Sequence, residues 1–260
     1  MMEDSYFSIP GLSVSGINAF YKSPQNYWKE SPFNKDRIYR ETTPAMLLGK
    51  VAHKLILEYD TFNDEFAVAP KCDKRTKDGK TAFDFFSNKS LEKTVIPQDV
   101  YLQAKEMHQA INKNAAVKQL LSSGESEVPL MWNNGHLSCK GKMDRYREGL
   151  IIDYKTCDDA SEKGFSRSIA TYGYHRQDAW YMSGVEAVYG ERPRGFVFIV
   201  QEKTIPENIA IYTLLDGDRE LGALENERAS IEIAERLETG NWKSYPEIIT
   251  PVALPSWYKR

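Results

Sequence analysis

Several absences narrow the possibilities before any motif is considered. No run approaches the roughly 18 consecutive apolar residues of a spanning helix, and the opening MMEDSYFSIPG is acidic, without the basic-then-apolar layout of a signal peptide. A cytoplasmic protein with no membrane partner is expected. Cysteine is scarce: Cys72, Cys139 and Cys157 are odd in number and widely spaced, with no CxxC pair, which argues against a disulfide framework and against a structural zinc or iron-sulfur site. All three are expected to be free thiols. Neither sign of charge dominates, with 34 basic against 37 acidic residues and a net charge of -3. This excludes binding to nucleic acid through bulk positive charge but leaves a local basic groove open. There is no internal repeat, low-complexity segment or Pro/Gly/Ser linker, so residues 1–260 read as one domain. Gly79-Lys80-Thr81 imitates the end of a Walker A loop, but the upstream glycine that loop needs falls on Lys74, so no ATPase motor is encoded.

What is present suits a globular chain. Of 260 residues 41% are apolar, and 15 Tyr, 11 Phe and 5 Trp supply the large anchors that a disordered chain lacks. The first part, to about residue 121, reads as helical. Ser15 is placed to cap a turn through Tyr21, Ser23-Pro24 restarts the chain, and Ala45 to Tyr59 has the near-continuous apolar spacing of a buried helix. A short strand is expected over Glu65 to Ala69, then a charged loop, KCDKRTKDGK, then one helix from Pro97 to Leu121. From about 122 to 215 the period changes. Glu127 to Trp132, Leu137 to Tyr146 and Gly149 to Thr156 are short runs separated by turn residues, the pattern of consecutive antiparallel strands. One long helix is expected over Ser168 to Tyr189, ended by Gly190 and Pro193. A buried strand, Gly195 to Gln201, follows with its partner Ile209 to Leu215, and an amphipathic helix over Asp218 to Leu237 opens the C-terminal part, 216–260. The order predicts an α/β protein with a mixed central sheet flanked by helices and an N-terminal helical extension.

The densest chemistry lies in KGKMDRYREGLIIDYKT, residues 140 to 156. Asp153 and Lys155 are two apart in one strand and share a face, while Tyr154 points away. A tight turn brings Asp144 of the preceding strand alongside Asp153. Two carboxylates and a lysine beside Ile151 and Ile152 are costly to desolvate unpaired, and a divalent cation resolves the conflict. Oxygen ligands suit Mg²⁺, with Mn²⁺ as a substitute. Lys155 is then placed to orient or help deprotonate an attacking water. A surface hairpin carrying an Asp/Lys pair is the alternative explanation of the same spacing.

These residues also match a family. Gly141-x-x-Asp144, eight residues, then Asp153-Tyr154-Lys155-Thr156 resembles the PD-(D/E)XK nuclease core in its D-x-K form. Gly49 to Glu58 resembles the G-x-x-x-H-x-x-x-L-E helix of RecE-type (exonuclease VIII) and RecB-like nucleases. Gln177-x-x-x-Tyr181 is similar to the helix after their D-x-K strand, and Ser13-Val14-Ser15 with Ser23-Pro24 and Tyr27-Trp28 is similar to their N-terminal segment. Arg75-Thr76-Lys77-x-Gly79-Lys80 resembles a segment of the RecE group. Together these cover about residues 11 to 200.

The resemblance implies a restriction-endonuclease-like αβββαβ core and a Mg²⁺-dependent exodeoxyribonuclease degrading linear double-stranded DNA from its ends, 5′ to 3′, for phage-type recombination. It implies two ions held by His53, Asp144 and Asp153, with a backbone carbonyl near Tyr154 and an upstream acid, Glu127 in preference to Glu125. Lys155 would position the water, Gln177 and Tyr181 would buttress the site or touch the strand being cut, and Ser13, Ser15, Arg75, Lys77 and Lys80 would contact DNA. A ring of three or four chains and a single-strand annealing protein of the RecT kind would be its partners. Two rivals share the fold: a RecB-like or Cas4-like nuclease acting on single-stranded ends, and an inactive DNA-binding or assembly module. His108, His136 and His175 have no partners at ligand spacing and are expected to be surface or structural.

Overall fold

The computed structural model describes residue 6 and residues 9–39, 41–72, 75–255 and 258. In chain order the elements are α1 (Val14–Lys22), α2 (Pro24–Glu30), α3 (Pro44–Leu57), α4 (Phe62–Glu65), β1 (Phe66–Val68), α5 (Lys77–Lys89), β2 (Thr94–Ile96), α6 (Gln98–Lys113), α7 (Ala115–Leu121), β3 (Glu125–Asn133), β4 (Ser138–Arg147), β5 (Leu150–Cys157), α8 (Glu162–Tyr172), α9 (Tyr174–Tyr189), β6 (Gly195–Glu202), β7 (Ile209–Tyr212) and α10 (Asp216–Thr239). Strands β3 to β7 form a sheet in sequence order. All neighbours are antiparallel except β5 and β6, which run parallel and are joined by the α8–α9 crossover. This is the mixed sheet flanked by helices that the sequence predicts. β1 and β2 form a separate parallel pair, of which only β1 was expected. No helix among the described residues is long and apolar enough to cross a membrane.

Period-2 alternation along β5 and β6 splits the interior in two. Ile151, Phe196, Phe198 and Val200 pack with Trp180, Tyr181 and Val185 of α9, Ala229 and Ile233 of α10, and Ile17, Phe20 and Tyr27 of the N-terminal helices. Ile152, Tyr154 and Ile199 pack on the opposite face with Val51, Ala52 and Leu55 of α3 and Met107 and Ile111 of α6. Each such fully buried side chain contributes about 1.5–3 kcal/mol of transfer free energy, so both layers are firmly seated. A polar tie crosses the second layer. The Tyr154 hydroxyl donates to Gln201 Oε1 at 2.5 Å, and Gln201 Nε2 donates to the carbonyls of Met107 and Pro206 at 3.0 and 2.7 Å.

Four local expectations are corrected. Ser13, not Ser15, caps α1, accepting from the Gly16 amide at 3.3 Å, while Ser15 bonds the Ser13 hydroxyl. The expected helix from Pro97 to Leu121 is two, because Asn114 leaves helical geometry and its side chain caps α7 at the Val117 amide. The expected helix from Ser168 to Tyr189 is also two, starting earlier at Glu162 and broken at Gly173, where φ is +70°. The charged segment is not all loop: α5 begins at Lys77, with the Thr76 hydroxyl accepting from the Gly79 amide, and residues 73 and 74 lie outside the described residues.

Candidate active site

The sheet is deliberately irregular where the carboxylates lie. β3 and β4 keep one register from Glu125↔Tyr146 to Asn133↔Ser138, interrupted only where Glu127 stands opposite Asp144. Glu127 has φ +55°, a left-handed backbone rarely adopted by a side chain of its kind and one that needs support from its surroundings. Met143 and Tyr146, an odd number of residues apart, both pack into the α9-side core, so β4 turns over between them. On the other side, β4 and β5 pair only from Arg147↔Leu150 to Arg145↔Ile152, although the strands are ten and eight residues long. Beyond that point they part, and Asp144 Oδ2 accepts the Tyr154 amide at 2.8 Å. A short hairpin turn with Gly149 at φ +82° thus opens into a gap at Asp144.

Three elements converge on the gap. α3 brings His53, whose Nδ1 lies 3.5 Å from Asp144 Oδ2 and whose ring meets the edge of Tyr154 at 5.1 Å between centroids. One ligand atom each from His53, Glu127 and Asp144 lie within 4.8 Å of one another. Asp153 is not part of this trio: Lys155 Nζ lies 2.5 Å from its Oδ2, and Gln177 Nε2 donates to its Oδ1 at 2.7 Å. Lys155 also sits over the Tyr174 ring, 4.9 Å from its centroid. Glu127 is paired with Lys142.

The electrostatics are those of an under-neutralised cluster. Burial pushes the carboxyls of Glu127 and Asp144 up, against the pull of Lys142 on the first and of Lys155 and the Tyr154 amide on the second. Burial likewise raises Asp153, to about 6, with Lys155 opposing. His53 is held below its usual value, chiefly by burial and then by the Lys155 charge, which keeps the imidazole neutral and able to ligate. Burial pulls Lys155 down, but Asp153 and Asp144 outweigh it and hold the ammonium above its ordinary value. Three carboxylates therefore face two ammonium groups, and the excess negative charge, set among oxygen and imidazole nitrogen donors, fits a small divalent cation.

The other expected residues divide. Ser13, Ser15, Gln177 and Tyr181 line one cleft with Lys140, Lys142 and Asn18. Arg75, Lys77 and Lys80 line neither this cleft nor its neighbour, which holds Lys155, Arg167 and Lys203; they stand on the exposed start of α5 and the turn before it. Tyr181 explains the glycine of the strand motif: a Cβ on Gly141 would come within 2.6 Å of the Tyr181 ring. Lys142 was not anticipated, although it is two residues before Asp144 and its signal was present in the alternation. Glu125 is exposed, while Glu127 lies with His53 and Asp144. His136 and His175 pair with Glu227 and Glu225, both at 2.8 Å, as structural histidines do, and His108 stacks on Tyr59.

Residues 13–245 match the sequence model of a family described as a PDDEXK-like domain of unknown function (DUF3799). No curated protein matches the sequence. Among solved structures, a protein of Eubacterium rectale described as a candidate exonuclease superposes with a TM-score of 0.62 at 18% identity, over 94% of this chain and 91% of its own. A second, SSO0001, aligns over 80% of this chain and 91% of its own at 16% identity, but with a TM-score of only 0.31.

Proposed function

Because the chain belongs to the PDDEXK-like family, we propose that it is a divalent-metal-dependent nuclease hydrolysing DNA phosphodiesters. The observation that carries this reading is the convergence of His53, Glu127 and Asp144 at the point where β4 and β5 part, with Lys155 anchored beside them. His53, Glu127 and Asp144 would hold the ion, and Asp153, whose charge is coupled to Asp144 and His53, would serve a second. Bound Mg²⁺ or Mn²⁺ supplies Lewis acidity at the phosphate and lowers the pKa of the attacking water. The protein's own part is positional. Gln177 fixes the Asp153 carboxylate, Asp153 fixes the Lys155 ammonium, and Lys155 orients the water and balances charge in the transition state. Lys140, its ammonium held by the carbonyls of Tyr6 and Ile9 and by no acid among the described residues, gives the first cleft a cation for the DNA backbone.

The finer reading follows the motif resemblance. The chain acts as a RecE-type exonuclease on linear duplex ends, 5′ to 3′, as a ring of three or four copies working with a RecT-like annealing protein in recombination. Digestion of linear duplex labelled at either the 5′ or the 3′ end, with Mg²⁺ and then with EDTA, tests activity and polarity together. Sedimentation tests the ring. Early loss of the 5′ label, abolished by EDTA, is the expected result; no cleavage in Mg²⁺ or Mn²⁺ would overturn the proposal.

A further inference from the structure

The cleft lined by Lys142 and Gln177, which hold Glu127 and Asp153, and the cleft lined by Lys155, which pairs with Asp153, share two lining residues, Tyr172 and Tyr174. Tyr174 is committed to the site, its ring under Lys155 Nζ. Tyr172 is not: it is 55% exposed, and its ring lies 5.7 Å from that of Tyr174 at an interplanar angle of 32°. An exposed tyrosine is ordinary, but this one stands on a backbone clamped from several sides. Asn18 Nδ2 donates to the Tyr172 carbonyl at 2.8 Å, and Arg176 Nε donates to Asn18 Oδ1 at 2.6 Å. Arg176 and His175 both reach Glu225 of α10, at 2.7 and 2.8 Å. Gly173 holds φ +70° with room for no side chain, since a Cβ there would lie 2.3 Å from Asn18 Oδ1. Gly222 lets α10 approach closely, a Cβ there meeting the His175 carbonyl at 2.3 Å.

A rigid elbow therefore presents one open aromatic face where the two clefts meet, beside the proposed phosphodiester site. We propose that Tyr172 is a base-stacking subsite, taking the face of an unpaired nucleobase next to the scissile phosphate. A strand threading from the cleft of Lys142 and Gln177 to the cleft of Lys155 and Arg167 passes this ring. Stacking is tolerant of base identity, because every base offers a π-face, and a ring carried on a clamped backbone leaves only its own side-chain freedom to be lost on binding. The subsite rests on the nuclease reading and adds to it that the strand is unpaired where it is cut.

The test uses short single-stranded oligonucleotides carrying 2-aminopurine at successive positions, bound to the Asp153→Asn protein in EDTA so that nothing is cleaved. Quenching at one position is expected. Tyr172→Ala should remove that quench and weaken binding about tenfold, the ordinary effect of losing one stacked base, while Tyr172→Phe and Tyr172→Trp keep both. Melting should be unchanged in all three, since the ring is largely outside the core. Unchanged affinity and quench in Tyr172→Ala, or a Phe variant as weak as the Ala variant, would overturn the subsite. A parent protein that binds no oligonucleotide and cleaves no DNA would instead overturn the nuclease reading itself.

Discussion

Asp144 Oδ2 accepts the amide of Tyr154 at 2.8 Å, so a side chain occupies the place that a ladder carbonyl of β4 would take in a regular hairpin. The exchange keeps the Tyr154 amide satisfied while the strands part, which is what makes a gap inside a sheet affordable. The same oxygen lies 3.5 Å from His53 Nδ1, so one carboxylate serves both the strand and the trio with Glu127. Replacing Asp144 by Asn keeps an acceptor for the amide but removes the charge. Calorimetry should show Mn²⁺ binding to the wild type and little to Asp144→Asn, with melting of the metal-free protein at neutral pH not lowered, since burial already disfavours the Asp144 charge. Undiminished Mn²⁺ binding would place the ion elsewhere.

Lys155 separates a catalytic role from a structural one. Lys155→Ala should reduce cleavage by at least about a hundredfold, the usual scale for a positioned group acting in the transition state. Duplex binding should stay within a few-fold, because many phosphate contacts share that energy. Its pairing with Asp153 implies in addition a lower melting temperature without metal, partly restored by Mn²⁺. Wild-type cleavage by this variant would sink the proposed role.

Asp153 makes stability depend on pH in a definite direction. Its carboxyl sits at about 6 when folded, against 3.8 for an unperturbed group. Protonation therefore favours folding: the contribution is full below about 3.8 and is lost as pH rises through about 6. The difference is on the order of 3 kcal/mol before relaxation. Asp153→Asn should raise the melting temperature of the metal-free protein at pH 7.5 and flatten its dependence between pH 4 and 7. A lower melting point for this variant at pH 7.5 would show that the buried charge is well compensated after all.

Gly141 is fixed by its neighbour rather than by its own backbone. Gly141→Ala drives a methyl into the Tyr181 ring, and because Tyr181 is packed against Phe196 the ring has little room to retreat. A loss of roughly 1–3 kcal/mol is expected from such overpacking, with cleavage reduced because Gln177 lies one turn away on the same helix. Denaturant titration of the two proteins checks the first effect and digestion the second.

Gln201 tests the support behind the site. Gln201→Leu would strand the Tyr154 hydroxyl and two carbonyls in the interior, costing roughly 2 kcal/mol or more. The melting point should fall by several degrees, with cleavage at low temperature nearly unchanged. An equal melting point would mean that water replaces the amide.

The sheet was legible because β strands announce themselves by alternation and turns by Gly149 and Asn133 to Gly135, all within a few residues of one another. His53, Asp144, Glu127 and Lys155 were legible because motif spacing survives whatever the backbone does between them. What stayed hidden was backbone departure from the regular. Gly173 reads as a tolerated helical glycine until Asn18, 155 positions earlier, is seen to occupy the space of its side chain. Glu127's left-handed φ falls where the β3–β4 pairing is interrupted opposite Asp144, which no local pattern signals, and Lys77 belongs to a helix whose mean polarity masks it. Arg75, Lys77 and Lys80, which the resemblance assigns to DNA contact, stand on an exposed stretch apart from both clefts, a position that tertiary packing decides and local sequence does not give.

The division of the interior into two layers has a consequence for a chain still being made. His53 belongs to the layer of α3, Gln177 to the layer of α9, and β5 lies between them. The proposed centre therefore does not exist until both have closed on the same strand. At ribosomal speeds of about 5–20 residues per second, the stretch from His53 to Gln177 takes on the order of ten seconds to emerge. Through that interval the ligands are on the ribosome but apart, so a nascent chain would be harmless to the DNA around it, and competence would arrive together with the fold.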